Sequence, residues 1–280
     1  MSILLTLAVA LLQFSSVDDL FRYGNDYEKC KEILLEMEIQ AGSGREKAEV
    51  LWRLSRVSLM LGESADDVES KRKHFKKGIS YSERGIKEDP RNINCHKWHC
   101  ANTGRECQTH SLIEQAAAVP AMTRDLTEIL DRLGAVDCSE AWQALSEMFW
   151  HHPFKSDNAA VNYARKAASC IPSDELRLST YIYLAELLYD RNWSRTRRAS
   201  EAKSNISRFK ASSKSNIDRY AYFDGSSMTL PWTGSAVGAV SDKEEADALL
   251  KYAEKLYSQC DRPAPVDKED FNELQKILNR

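Results

Sequence analysis

Along the stretch AEVLWRLSRVSLML the residues Leu51, Leu54, Ser55, Ser58 and Leu61 recur at steps of three and four. That is the period of a helix turning one face to a core. A second helix is predicted in KKGISYSERGIKEDPRN, where the small residues Gly78, Ser82 and Gly85 share a face and Pro90 marks the stop, since proline lacks an N–H and restricts the residue before it. The two patterns recur downstream. Trp142, Leu145, Ser146 and Phe149 repeat the first, and Ala160, Ala164, Ala167 and Pro172 repeat the second at the spacing of Gly78, Ser82, Gly85 and Pro90. Tyr181, Leu184, Ala185 and Leu188 begin a third unit, and Gly24, Tyr27, Cys30, Leu34 and Met37 read as the second half of an earlier one.

Large residues on one helix and small ones on the next, closed by Asp-Pro, resemble the tetratricopeptide pattern, which needs about three units to bury a continuous core. The expected class is all-α, a tetratricopeptide-like array of helical hairpins, an α-solenoid. No long alternating stretch offers a sheet. The predicted helices lie near Val17, Ala48, Lys73, Ile93, Leu126, Ser139, Asn158, Leu176 and Asp242. Gly24-Asn25 is a turn, AGSGREK a connection, and ESADDVES lengthens the two helices around it. Tyr220–Val240, with Gly225, Pro231, Gly234, Gly238 and many aromatics, reads as a packed loop. The final helix, Asp242–Cys260, caps the array. The expected organisation is an apolar segment at 1–16, a helical domain at 17–260 and a charged tail at 261–280.

Composition changes this picture little. With 280 residues, 42% hydrophobic and 29% charged, the chain is of ordinary soluble type. A net charge of -3 does not suggest a nucleic-acid partner. Seven scattered cysteines are read as reduced thiols, with Cys30 and Cys170 as small packed residues. MSILLTLAVALLQF has the length of a signal-peptide core and is too short to span a bilayer. It has no preceding cation, and Ser15-Ser16 with Asp19 reads as a capping box, which favours a packing helix and leaves membrane contact open.

His96, His99 and His110 beside Cys95, Cys100 and Cys107 raise the question of zinc. No C-x-x-C pair occurs, and His96, His99 and Cys100 fall on the face that packs in a repeat helix, so no metal or cofactor is expected there. In the zinc alternative His96 and Cys100, four apart on a helix, would face one metal, and Cys107 or His110 would close the shell after a turn at Gly104.

One segment stands out by charge. RNWSRTRRASEAKSNISRFKASSK carries Arg191, Arg195, Arg197, Arg198, Lys203, Arg208, Lys210 and Lys214 against Glu201 alone, with Trp193 and Phe209 interleaved. It fits a solvated face or a surface for an anionic partner. Arg197-Arg198-Ala199-Ser200 also has the form of a basophilic-kinase target, with phosphate there adding about two negative charges.

LWRLSRVS, GISYSERGIKEDPRN and HKWHC together resemble the regulator of microtubule dynamics family, over a stretch expected to run from Val17 to Cys260. The middle region departs from the family's usual turn and helix, with Ala135-Val136-Asp137 and Ala144-Leu145-Ser146 in their place. The resemblance implies a cytoplasmic protein of the cytoskeleton, associated with microtubules, spindle and spindle poles, acting in chromosome segregation and not an enzyme. Tubulin is the implied partner, and peptide segments of other proteins could enter a concave groove. The acidic tails of tubulin would then meet Arg191, Arg195, Arg197, Arg198, Lys203, Arg208 and Lys210. The alternative is an adaptor of tetratricopeptide type at an organelle membrane or in the secretory lumen. No H-E-x-x-H, G-x-S-x-G or P-loop motif occurs.

The Cys/His reading has a direct check. Adding a chelator to the purified protein should leave its melting temperature unchanged, because no metal-binding free energy is coupled to folding. Stoichiometric zinc, with destabilisation on its removal, would reverse the assignment.

Overall fold

The computed structural model describes residues 14–151, 156–173, 175–211 and 215–279. Nearly every described element is helical, in agreement with the all-α reading. The chain divides into two compact units, 1–128 and 129–280.

Unit 1 contains α1 (14–24), α2 (Tyr27–Gln40), α3 (Arg45–Glu63), α4 (Val68–Glu88), α5 (Ile93–Gln108) and α6 (Leu112–Thr127). The connection between α3 and α4 is short, and the two helices have 19 and 21 residues, so ESADDVES does extend helices as expected. Asp26, Asp67 and Asn92 cap α2, α4 and α5 by accepting the N–H three residues on.

Close approach organises the packing of α3, α4 and α5. Gly78 and Gly85 leave room where an added Cβ would lie 2.2 Å from Asn102 Oδ1 and 2.5 Å from Cys95 Sγ. Ser55 Oγ donates to the Gly78 carbonyl at 2.8 Å, and Asn102 Nδ2 donates to the Ser55 carbonyl at 3.1 Å, tying three helices through one buried point. Val17, Cys30, Leu34, Met37, Leu51, Leu54, Val57 and Tyr81 form the adjoining core.

Three expectations are corrected here. Ser15 and Ser16 lie inside α1 and are not its cap, because residue 14 is already helical, Phe14 stacks on Arg53 at 4.2 Å and Val17 is buried. Asp18, and not Asp19, fastens the segment, receiving Arg53 at 2.8 Å and also Arg56. Residues 1–13 lie outside the described residues, and no described helix is long and apolar enough to cross a membrane. Gly104 makes no turn, since α5 continues through it to Gln108.

Unit 2 contains α7 (Ser139–His151), α8 (Asp157–Ser169), α9 (Leu178–Arg191), α10 (Arg195–Ala211), α11 (Asn216–Tyr220), α12 (Asp242–Ser258) and α13 (Pro265–Leu278). The predicted faces are inside: Trp142, Leu145, Ser146, Ala160, Ala164, Ala167, Tyr181, Leu184, Ala185 and Leu188 are all buried. Tyr220–Val240 is a packed loop holding a two-residue antiparallel ribbon, β1 (Thr229–Leu230) and β2 (Ser235–Ala236), and it buries Phe223, Leu230, Trp232 and Val237. Within the charged tail Pro265–Leu278 folds as helix α13, which places Leu274 in the core and stacks Phe271 on Tyr257 at 3.9 Å, because its apolar positions recur at helical spacing.

The loop brings Gly225 so near α10 that an added Cβ would lie 2.5 Å from the Asn205 carbonyl carbon and oxygen. Backbone cannot yield there as a flexible side chain does. Gly225→Ala should therefore cost about 1–3 kcal/mol, read as a lowered denaturant midpoint for unit 2. An unchanged midpoint would show that α10 does not hold this position.

Candidate interaction surface

The basic segment splits into an inner and an outer set. Helix α10 buries only Arg198 and Asn205 among its residues, so polar contacts hold it against the unit. Arg198 is 2% exposed and the Arg191 side chain likewise 2%. Both join Arg165 of α8 around two carboxylates of α12, Asp242 and Glu245.

The geometry is that of forked pairs. Arg165 donates to Glu245 from Nε at 3.1 Å and from Nη2 at 2.9 Å. Arg191 donates to Asp242 from Nε at 2.9 Å and from Nη2 at 2.7 Å, and the Trp193 backbone N–H reaches the same carboxylate at 2.8 Å. Arg198 donates to Glu245 and lies 3.4 Å from Asp242, while Trp232 Nε1 donates to Glu245 at 3.2 Å. Asp224, held by Asn162 at 3.1 Å and Asn205 at 3.1 Å, is a third buried acid whose charge acts on Arg165.

Charges removed from water keep their ionisation only through such partners. Burial works against the Glu245 carboxylate, and the charges and hydrogen bonds of Arg165 and Arg198 outweigh it, leaving it below its ordinary range. Burial also acts against Arg165, but Glu245 and Asp242 hold it above its usual value. Arg198 goes the other way: burial and then the Arg165 charge push it down to about 10.

Arg191 and Arg198 are thus corrected from surface contacts to core residues. The burial of Arg198 also withholds half of the Arg197-Arg198 pair from any kinase approaching the exposed Ser200. Arg195 is exposed but paired with Glu244, whose carboxyl is drawn down to about 2 by hydrogen bonds from the Ser241 backbone and hydroxyl and from Arg195. Arg197, Lys203, Arg208 and Lys210 remain on the solvent side. Arg197 stacks on Trp193 at 4.2 Å with Arg191 at 4.1 Å from the same ring, Arg208 lies 5.4 Å from Tyr222, and Phe209 packs inward on Tyr220. Lys214 lies outside the described residues.

In unit 1 the histidines engage protein partners. His99 Nδ1 lies 2.6 Å from Asp125 Oδ2, His96 Nδ1 lies 3.4 Å from Asp125 Oδ1, and His96 Nε2 lies 2.9 Å from the Pro90 carbonyl. Burial disfavours the His96 cation, but Asp125 and the Pro90 carbonyl hold it above its ordinary range. Cys107 donates to the Gly104 carbonyl and His110 pairs with Glu106 at 2.7 Å. Among the described residues no group of three or more His, Cys, Asp or Glu is placed to hold a metal ion.

The buried network predicts an acid-labile unit 2. Because the folded pKa of Glu245 is depressed below the ordinary 4.5, its contribution is present above that value and is lost as pH falls through the folded one. Glu245→Gln leaves two buried guanidiniums short of a charge and should cost about 3–5 kcal/mol at neutral pH, measured by denaturant unfolding. A loss below 1 kcal/mol would show that hydrogen bonds alone hold the cluster.

Against known proteins, no curated protein matches the chain. A family model does match, over residues 13–121 of the stretch expected to run to Cys260. The likeness carried by LWRLSRVS, GISYSERGIKEDPRN and HKWHC is shown over residues 13–121, where the chain matches the family described as Regulator of microtubule dynamics protein 1-3.

Proposed function

We propose that this protein is a non-enzymatic, microtubule-associated helical protein of the cytoplasm, acting at the spindle and its poles in chromosome segregation. The family match at residues 13–121 carries the reading, since the family's name points to microtubule dynamics and thus to a cytoskeletal association. Two further features support it. The faces of α3, α4 and α5 that could hold reactive groups are spent on packing, with His96 and His99 engaged by Asp125. The solvent side of α10 carries Arg197, Lys203, Arg208 and Lys210, a local positive surface in a chain of net charge -3. Such a surface suits an acidic polymer such as tubulin, and it acts through long-range attraction.

Purified protein should co-pellet with microtubules at low salt. Binding should weaken as salt rises to a few tenths molar, since exposed charges are screened over about 8–10 Å at near-physiological ionic strength. Reversal of Arg197, Lys203, Arg208 and Lys210 to Glu should weaken binding without loss of helicity, whereas Arg198→Glu would damage the core and report nothing about the surface. Absence of wild-type binding at low salt would refute the reading. Binding indifferent to the four changes would remove α10 from it.

A further inference from the structure

Helix α4 carries a second charged face that the reading of α10 does not use. Its buried residues Phe75, Gly78, Tyr81, Ser82 and Gly85 face the core of unit 1. On the opposite side Lys73, Lys77, Ser80, Arg84 and Lys87 follow one another at steps of four, three, four and three, and all five are exposed. At 1.5 Å per residue this row spans about 21 Å with no carboxylate within it.

The carboxylates around the row engage Arg84 within it and two of its lysine neighbours. Glu38 of α2 takes Arg84, Glu28 of α2 takes Lys31 at 2.8 Å, and Glu106 of α5 lies 3.7 Å from Lys76. Glu69 and Glu83 lie at its border on α4. Among the described residues none of these lies within ion-pair distance of Lys73, Lys77 or Lys87, while Lys77 rests 5.8 Å from the Tyr81 ring. The local field registers on His74, which adjoins Lys73 on the helix. Burial, then the charges of Lys31, Lys73 and Lys77, hold His74 below its ordinary range against the opposing Glu28.

We propose that the row Lys73–Lys77–Ser80–Arg84–Lys87 is a docking surface for a flexible, glutamate-rich acidic polypeptide tail. Charge complementarity and shape select this occupant. An extended chain advances about 3.3 Å per residue, so six or seven residues cover the row, and cations one helical turn apart meet alternate carboxylates on its near side. The row lies within the residues that match the family. As a contact to microtubules it rests on the reading proposed above, while its chemistry is testable without them.

The test uses the full chain and a fluorescent ten-residue glutamate-rich peptide, with a glycine-serine peptide of equal length as the neutral control. Anisotropy should show saturable binding of the acidic peptide alone. Lys73→Glu, Lys77→Glu and Lys87→Glu together should weaken it by roughly tenfold, whereas Lys251→Glu, Lys255→Glu and Lys268→Glu together should not. Ser80→Asp, one charge in the middle of the row, should weaken it as well and serves if the triple variant loses helicity. Co-pelleting runs in parallel with intact microtubules and with microtubules trimmed of their acidic tails. Peptide binding that depends on the row, without any pelleting, upholds the docking surface and refutes the microtubule reading. Pelleting and peptide binding that ignore the row overturn the docking surface and leave that reading standing. Failure of the wild type to bind the peptide overturns the docking surface.

Discussion

The pairing of Arg165, Arg191 and Arg198 with Asp242 and Glu245 decides what unit 2 can be. Three guanidiniums and two carboxylates, with Asp224 close by, are removed from water at the meeting of α8, α9, α10 and α12. No single member can be lost without leaving another buried and uncompensated, so breaking the cluster costs more than the intact cluster contributes to net stability. Helix α10 depends on it most. With Arg198 and Asn205 as its only buried residues, the helix is seated by charge and hydrogen bonds, and the loop that follows approaches it closely at Gly225 and Gly238.

Unit 1 reaches order by a different route. Its central helices meet where side chains are absent or small, and the Ser55–Gly78–Asn102 contact fills the space with hydrogen bonds. A glycine or serine at each of those points permits backbones to approach, after which Leu51, Leu54 and Tyr81 can close around them. The two units share hairpin architecture and small-residue helix faces, but unit 2 adds a fully buried cluster of ion pairs to its apolar core.

This difference explains which parts of the structure were legible in the sequence. Periodicity is a local property, so the faces of Leu51–Ser58, Gly78–Gly85, Trp142–Ser146 and Tyr181–Leu188 could be read directly. The fate of Arg191 and Arg198 could not, because their partners lie 51 and 47 residues away and a run of cations looks alike whether solvated or clasped. One signal was available: Asp242 and Glu245 sit one turn apart at the start of a predicted helix, two acids whose burial the helical period implies once Ala246 and Leu249 are placed inside. The turn that a zinc site would need at Gly104 is absent, because glycine is tolerated in a helix when neighbours hold it, and here Asn102 is anchored two residues before. In the charged tail Pro265 suits the first turn of a helix and Leu274 recurs at core spacing, which is the local signal for α13.

Charge counts over a segment therefore mislead where charge per face informs. The Arg191–Lys214 run has the larger local excess, yet burial takes Arg191 and Arg198 out of its solvent face and Glu244 pairs with Arg195 there. Helix α4 has acids scattered along it and a modest excess overall, yet its outward row is uniformly cationic or neutral, because Gly78, Ser82 and Gly85 fix which side must face inward. An incoming anionic chain meets a face, screened over a Debye length, and takes no account of sequence order. The same small residues that let α4 pack against its neighbours thus set the register in which Lys73, Lys77, Arg84 and Lys87 align. Packing and surface charge on this helix are two consequences of one periodic pattern.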